Sequence, residues 1–209
     1  MNAELGLRER KKRETRRLIS DVASGLFLQR GFDNVTVAEV AAAADVSTKT
    51  VFNYFPRKED LFLDRLPEAV ELITDAVRGR GEGQSPLAAL RGLFLGLLEQ
   101  GHPLAGVGQN YQFFWQVVLD SPALLARTRE FVEELEDLLA DLFAEAEGID
   151  PADPRARLGG ALATAAYRTV YLAAARRIFA GESAEAVAEE AVMLLNRCFD
   201  AVERALDGF

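Results

Sequence analysis

A chain of 209 residues, 49% hydrophobic and with a formal net charge of −9, is long enough to bury a substantial core without disulfide or metal staples. Its one cysteine, Cys198, excludes an intramolecular disulfide and reads as a buried structural thiol; with no apolar signal region at the start of the sequence, a cytoplasmic location is expected. The apolar stretch 158–175 is mostly Ala and Gly with Arg168 near its middle, which fits a buried helix and not a membrane span.

The charge is unevenly placed. Residues 1–60 hold eleven Lys or Arg against nine Asp or Glu, whereas residues 61–209 hold thirteen against twenty-four. Seven of the ten residues from 8 to 17 are basic, and all four lysines lie at or before Lys58. Clusters of this kind touch phosphates, while an acidic remainder limits nonspecific sticking. Taken alone the run equally describes a solvated arm; the motif that follows it favours phosphate or minor-groove contact.

Leu18, Ile19, Val22, Ala23, Leu26 and Phe27 recur at helical spacing and predict a first helix over 12–30, ended by Gly31, after which Phe32 and Val35 return to the core. Thr36 followed three residues later by Glu39 is a capping box, and Val37, Val40, Ala41 and Ala44 predict a short second helix whose small residues allow close crossing. Asp45 and Val46 make a tight turn, with Val46 as its apolar plug, and Ser47 caps a third helix over 48–54. Val51 and Phe55 point inward there, leaving Thr48, Lys49, Asn53 and Tyr54 outside as donors suited to phosphates and base edges. A fourth helix is predicted after Pro56-Arg57, carrying Leu61, Phe62, Leu66, Val70 and Ile73. Pro67 falls inside it, so a kink or break is expected there, equally readable as structural or as a hinge.

Farther on, a capping residue precedes proline in Ser85-Pro86, Ser121-Pro122, Asp153-Pro154 and, more weakly, His102-Pro103, each marking a helix start. Loops at 79–84, 148–153 and 181–183 separate these helices, and no strand-type alternation is evident. The expected fold is therefore all-α, with about nine helices. Residues 124–143 give an amphipathic stripe, and the last helix repeats it in Val187, Ala191, Leu194, Leu195, Cys198, Val202, Ala205 and Leu206. The helix between them is apolar nearly all round, and Gly159, Gly160, Ala163 and Ala166 leave room for another helix to cross closely. The last two helices are accordingly read as a homodimer interface, an intermolecular four-helix bundle.

Val35-Thr36, the run Ser47-Thr-Lys-Thr-Val-Phe-Asn-Tyr-Phe55, Pro56-Arg-Lys-Glu-Asp-Leu-Phe62 and the preceding Ile19-x-x-Val-Ala-x-x-Leu-Phe-x-x-x-Gly-Phe32 pattern resemble the N-terminal signature of the TetR (tetracycline repressor) family of transcriptional regulators. The resemblance covers roughly residues 12–66; beyond 70 only length and helical pattern agree. It implies a helix-turn-helix DNA-binding domain over 1–56 with a basic N-terminal arm, and a helical ligand-binding and dimerisation domain over 57–209. It also implies dimerisation through the last two helices and makes the fourth helix the mechanical link between ligand and DNA. For double-stranded DNA it implies Thr36 as a phosphate donor, Thr48, Lys49 and Thr50 at the start of the reading helix, and Asn53, Tyr54 and Lys58 as backbone clamps. Ala38 and Phe52 depart from the family pattern: some members have a longer polar base reader at the first and a tyrosine at the second. Phe52 is left with apolar contact, as to a thymine methyl, or inward packing, so base choice should rest on Thr48, Lys49 and Phe52.

For a small hydrophobic or aromatic effector, the segment 106–119 is the best candidate, because Tyr111, Phe113, Phe114, Trp115 and Val118 alternate with Gln109, Asn110, Gln112 and Gln116. Phe94, Leu97 and Leu98 before it, and Thr164, Tyr167, Arg168 and Tyr171 after it, are placed to complete the site. Arg168 fits an interface salt bridge as well as it fits an acidic ligand. His102 is the only histidine and reads as a surface turn; no metal cluster, phosphate loop or nucleophile motif is present, so neither cofactor nor catalysis is expected. The expected function is a homodimeric repressor that leaves an inverted-repeat operator when effector binds, with a DNA-binding activator, or an all-helical carrier or enzyme using the aromatic residues, as rivals.

Overall fold

The structure, a computed structural model, describes residues 6–108 and 111–208. Gln109 and Asn110 of the candidate effector segment, and the first five residues of the expected arm, lie outside the described residues. Those described form nine α-helices and two short 3-10 turns, with no strand among them. They make two compact units, one of residues up to Leu66 together with Gln116–Arg127, the other of Pro67–Trp115 and Thr128 onward.

In the first unit, α1 (Leu7–Arg30) is longer than its apolar pattern suggested. The basic run 8–17 is its first turns and not an arm, because Arg, Lys and Glu are good helix formers and opposite charges meet one turn apart. Arg10 lies 3.9 Å from Glu14 and Arg17 3.6 Å from Asp21. Gly31 ends the helix at φ 80°, its N–H on the Phe27 carbonyl. Helices α2 (Val37–Ala43) and α3 (Thr48–Tyr54) follow as expected, both capped by their predicted residues. Asp45 turns the chain between them at φ 53°, the left-handed region that Asp tolerates better than most residues, while Val46 is half-buried.

The core of this unit is Ile19, Phe27, Phe32, Val40, Val51, Phe55 and Leu61, each at most 3% exposed. The Phe27 ring sits 4.9 Å from Phe32 and 5.9 Å from Phe62. Burial of Leu61, Phe62 and Leu63 is what carries the unit past the expected boundary at 56/57. The single fourth helix expected from residue 58 is accordingly split: a 3-10 turn, Glu59–Leu61, is followed by a bend, and α4 (Leu66–Arg78) begins only at the unit's edge. Pro67 is the second residue of α4, where its missing N–H had no helical partner to lose, so it starts a helix and kinks none.

The second unit contains α4, α5 (Pro86–Glu99), most of α7 (Pro122–Glu147), α8 (Pro154–Phe179) and α9 (Ala184–Asp207). Ser85, Asp153 and Ser183 cap α5, α8 and α9. Leu90, Phe94, Leu139, Phe143, Ala163, Leu195 and Phe199 are among its buried core. Gly160 lets α8 lie backbone to backbone on α7: a Cβ there would fall 2.7 Å from the Glu136 carbonyl oxygen and 2.8 Å from the Ala140 nitrogen. The close crossing that the small residues promised is thus made by α7 of the same chain. Cys198 is half-buried rather than buried, and no helix of the described residues is long and apolar enough to cross a membrane. Helix α6 (Tyr111–Asp120) contributes its first turn to this unit and its remainder to the first.

Candidate nucleic-acid reader and effector cluster

The reader is fixed by two caps. At α2 the Glu39 N–H donates to Thr36 Oγ1 at 3.2 Å, while the Thr36 N–H and hydroxyl both donate to Glu39 Oε2 at 2.8 Å. Arg30 adds a bond to Glu39 Oε1 at 2.7 Å. At α3 the Thr50 N–H donates to Ser47 Oγ at 3.0 Å, and the two hydroxyls lie 2.8 Å apart. With α3 seated by Val51 and Phe55, both at most 1% exposed, its other face is open: Thr48, Lys49 and Asn53 are exposed, and Phe52 is 48% exposed. Phe52 therefore points outward, which leaves the apolar contact as its available role. Tyr54 and Thr50 are half-buried.

Two of the expected phosphate donors are already engaged. The Thr36 hydroxyl proton is directed at Glu39, and Lys58 Nζ donates to the Phe32 carbonyl at 2.6 Å while lying 4.1 Å over the Phe32 ring. Burial holds the Lys58 ammonium below its ordinary pKa, against the pull of Asp33 and Glu59. Arg16 is also turned inward: its guanidinium stacks 4.3 Å over Phe55 and donates to the Asp64 carbonyl at 3.0 Å. Next to it Ser20 donates to the Asp64 carboxylate.

The bond from the Thr36 backbone, then those from Arg30 and the Thr36 hydroxyl, hold the Glu39 carboxyl down from 4.5 to about 2. A depressed carboxylate stabilises the fold above its unfolded pKa, and that contribution is lost as pH falls through the folded value. Acid should therefore loosen α2 between pH 4.5 and about 2, the two values that bracket Glu39. Thermal midpoints measured across that window should fall less steeply for Glu39→Gln than for the parent; identical slopes would show that Glu39 carries no such linkage.

Residues 116–127 belong to the reader's unit and are tied to it by polar contacts. Ser121 Oγ donates to Asp33 Oδ1 at 3.0 Å, and Arg127 Nε to Asp60 Oδ1 at 3.3 Å. Val118 and Leu124 are fully buried there. Sequence reasoning missed this anchorage, although the cap at Ser121 marked the turn on which it depends.

In the second unit, six of the expected effector residues form a connected chain of rings. Tyr111 lies 5.7 Å from Phe114, Phe114 6.0 Å from Trp115, Trp115 5.4 Å from Tyr171, Tyr171 5.9 Å from Tyr167, and Tyr167 stacks 4.1 Å from Phe94. The Tyr167 hydroxyl donates to the Leu104 carbonyl at 2.5 Å. Buried Gly106 sits against this chain at φ 73°; a Cβ on it would be 2.3 Å from the Tyr171 ring. Thr164 is buried on the stripe of α8 that carries Tyr167 and Tyr171, and Leu98 lies in the surrounding core. Two expected members are elsewhere: Arg168 is exposed, and Val118 belongs to the reader's unit. Phe199, 6.0 Å from Phe94, was missed, though it lies four residues after Leu195 and three before Val202 on the stripe already recognised. His102 is no bare surface turn either: its Nδ1 accepts from the Leu104 N–H at 3.2 Å, and its Nε2 is 3.4 Å from Glu68. No group of His, Cys, Asp and Glu among the described residues is arranged to hold a metal.

A short capped helix seated on a three-helix core, with polar side chains left outward, defines a helix-turn-helix protein. Residues 19–64 match the family model of bacterial regulatory proteins, tetR family. Over 149 residues the chain is 36% identical to the HTH-type transcriptional regulator TcmR of Streptomyces glaucescens, spanning 69% of this chain and 66% of that protein. It is 32% identical over 80 residues to the uncharacterized HTH-type transcriptional regulator YuxN of Bacillus subtilis, covering 38% of this chain and 28% of YuxN. The chain thus spans just under two thirds of the first relative and about a quarter of the second. Native NalD, the secondary repressor of the MexAB-OprM multidrug efflux pump in Pseudomonas aeruginosa, shares the fold, with a TM-score of 0.56 at 22% identity over 89% of this chain and 97% of NalD. The chain belongs to the TetR family of bacterial regulatory proteins.

Proposed function

We propose that the protein is a homodimeric repressor that reads an inverted-repeat operator with α3 and leaves it when a small hydrophobic or aromatic effector enters the ring cluster of the second unit. The observation that carries this reading is the open face of α3, where Thr48, Lys49, Phe52 and Asn53 stand clear of a helix whose other side is fully packed. Thr50 and Tyr54, half-buried beside them, are further DNA contacts, while Thr36 and Lys58, engaged with Glu39 and Phe32, hold the reader in place. Dimerisation through α8 and α9 is supported by large apolar residues left outward on both, Leu172 and Phe179 on the first and Met193 on the second. Two such protomers would place their reading helices in successive major grooves.

Release is a population shift, in which effector favours a conformation whose reading helices no longer match those grooves. Two chain segments are suited to carry it. One is α4, which starts where the reader's unit ends. The other is α6, whose first turn supplies Tyr111, Phe114 and Trp115 to the ring cluster and whose last turns join the reader's unit. Selection from a random duplex library tests the proposal: the dimer should enrich an inverted repeat with half-sites about one helical turn apart, and retention should fall steeply with salt. Enrichment of a lone half-site would overturn the dimeric reading, and no enrichment over random duplex would overturn DNA recognition. In a transcription assay, an enriched site that raises expression would replace repression by activation.

A further inference from the structure

Among the described residues, two polar atoms in and beside the ring cluster have no hydrogen-bond partner. The Trp115 indole Nε1 is shielded from solvent and donates to nothing; the Thr164 hydroxyl, on a residue 6% exposed, neither donates nor accepts. Helical threonines commonly return the hydroxyl to the carbonyl four residues back, as Thr74 does to Val70 at 2.7 Å and Thr169 to Ala165 at 2.8 Å. Thr164 does not, so its own helix leaves the hydroxyl available. Buried polar groups are nearly always satisfied, and those that are not call for an explanation.

Trp115 belongs to the ring cluster, and Thr164 lies on the stripe of α8 that carries two of its rings. The Trp115 ring packs 5.4 Å from Tyr171, and Thr164, Tyr167 and Tyr171 follow one another at three and four residues on one stripe of α8. At 1.5 Å per residue, Thr164 and Tyr171 are about 10 Å apart along the helix, the span of a short fused-ring system. The α8 stripe itself offers no charge to a ligand. Arg168 is exposed, and burial pushes the Tyr167 and Tyr171 hydroxyls above their ordinary range, keeping them neutral. An ionised ligand would lose its hydration there without gaining a counter-charge.

We propose that the cluster takes a neutral, flat aromatic ligand whose carbonyl oxygen accepts from Trp115 Nε1 and whose second polar group is bound by the Thr164 hydroxyl. This rests on the reading of the cluster as the effector site, and it narrows that site to uncharged ligands bearing acceptors, excluding both plain hydrocarbons and carboxylates. It also explains why two polar atoms are kept unmatched in an otherwise apolar region: each is satisfied only when ligand arrives.

Trp115 is the sole tryptophan of the chain, so fluorescence excited at the red edge of the indole band, where tyrosine does not absorb, reports on this indole alone. Three probes of one ring system separate the possibilities: 2-hydroxy-9-fluorenone, with both polar groups; fluorene, with neither; and 9-fluorenone-2-carboxylate, which is anionic. The hydroxyketone should quench saturably and bind at least tenfold tighter than the other two, about what one well-made hydrogen bond supplies. Equal or tighter binding of fluorene or of the carboxylate would overturn the ligand class while leaving an effector site in place. Saturable quenching by none of the three would overturn the effector site itself. Thr164→Val should raise the melting temperature of the ligand-free protein and weaken the hydroxyketone severalfold, whereas Thr164→Ser, which keeps the hydroxyl, should bind nearly as the parent does. Parent-like affinity in a folded Thr164→Val protein, or equal weakening in Thr164→Val and Thr164→Ser, would remove the Thr164 hydroxyl from the site.

Discussion

Replacing Gly160 by alanine is expected to destabilise the second unit by roughly 2 kcal/mol, although alanine is the better helix former by about 1 kcal/mol. The sign follows from what the new methyl would meet. At Gly160 it falls 2.7 Å from the Glu136 carbonyl oxygen and 2.8 Å from the Ala140 nitrogen, both backbone atoms that cannot rotate aside. Helices α7 and α8 would have to part, taking with them contacts of Leu139, Phe143 and Ala163, all at most 4% exposed. The same substitution supplies its own controls. Gly25 in α1 and Gly92 in α5 have nothing within 4 Å of a built Cβ, so Gly25→Ala and Gly92→Ala should each stabilise by about 0.5–1 kcal/mol. Denaturant midpoints for the three variants should therefore split in sign. A Gly160→Ala protein as stable as the controls would show that α7 and α8 do not meet through their backbones.

That glycine also shows how far the sequence could be read. Small residues at 159, 160, 163 and 166 announced a close helix crossing, and one exists; the pattern carries no address for the partner, and α7 of the same chain takes the position. The starts of α2 and α3 were legible to the residue, because a capping box and a Ser cap are local chemistry with fixed spacing. The start of α1 was not, since charged residues form helix without an apolar stripe to betray it. Pro67 misled by being judged against a helix assumed to run from residue 58, when the burial of Leu61, Phe62 and Leu63 breaks that helix first.

The residues expected to meet an effector divide along the same line. Aromatic spacing placed Tyr111, Phe114 and Trp115 together with Tyr167 and Tyr171, since long flat side chains within a helical core meet readily. It could not separate Val118 from Trp115, three residues apart on one helix yet in different units, nor show that Arg168 is exposed while Thr164, four residues earlier, is buried. Which polar atoms lack partners is a property of the folded packing alone.

Loss of Lys49 should cost the operator complex about 1–3 kcal/mol per half-site, the largest effect of any single DNA-facing side chain. Three of the four lysines lie on α1 or behind the reader, leaving Lys49 as the one on the exposed face of α3. Lys58 is the instructive contrast. Its ammonium is committed to the Phe32 carbonyl and rings and is held below its ordinary pKa by burial, so Lys58→Ala should lower the stability of the reader's unit by about 1–2 kcal/mol. Lys49→Ala should leave stability untouched, because nothing packs on an exposed side chain. Gel shifts at two salt concentrations then say what Lys49 touches. An unchanged salt slope with relaxed sequence preference assigns it to base edges, whereas a slope reduced by about one per half-site assigns it to phosphate. Affinity within twofold of the parent at both concentrations would remove Lys49 from the interface and leave α3 to be read through Thr48, Asn53 and Phe52. Phe52→Ala separates that last case: at 48% exposure its ring contributes little to the fold, so any lost affinity should appear only on operators that set a thymine methyl against it.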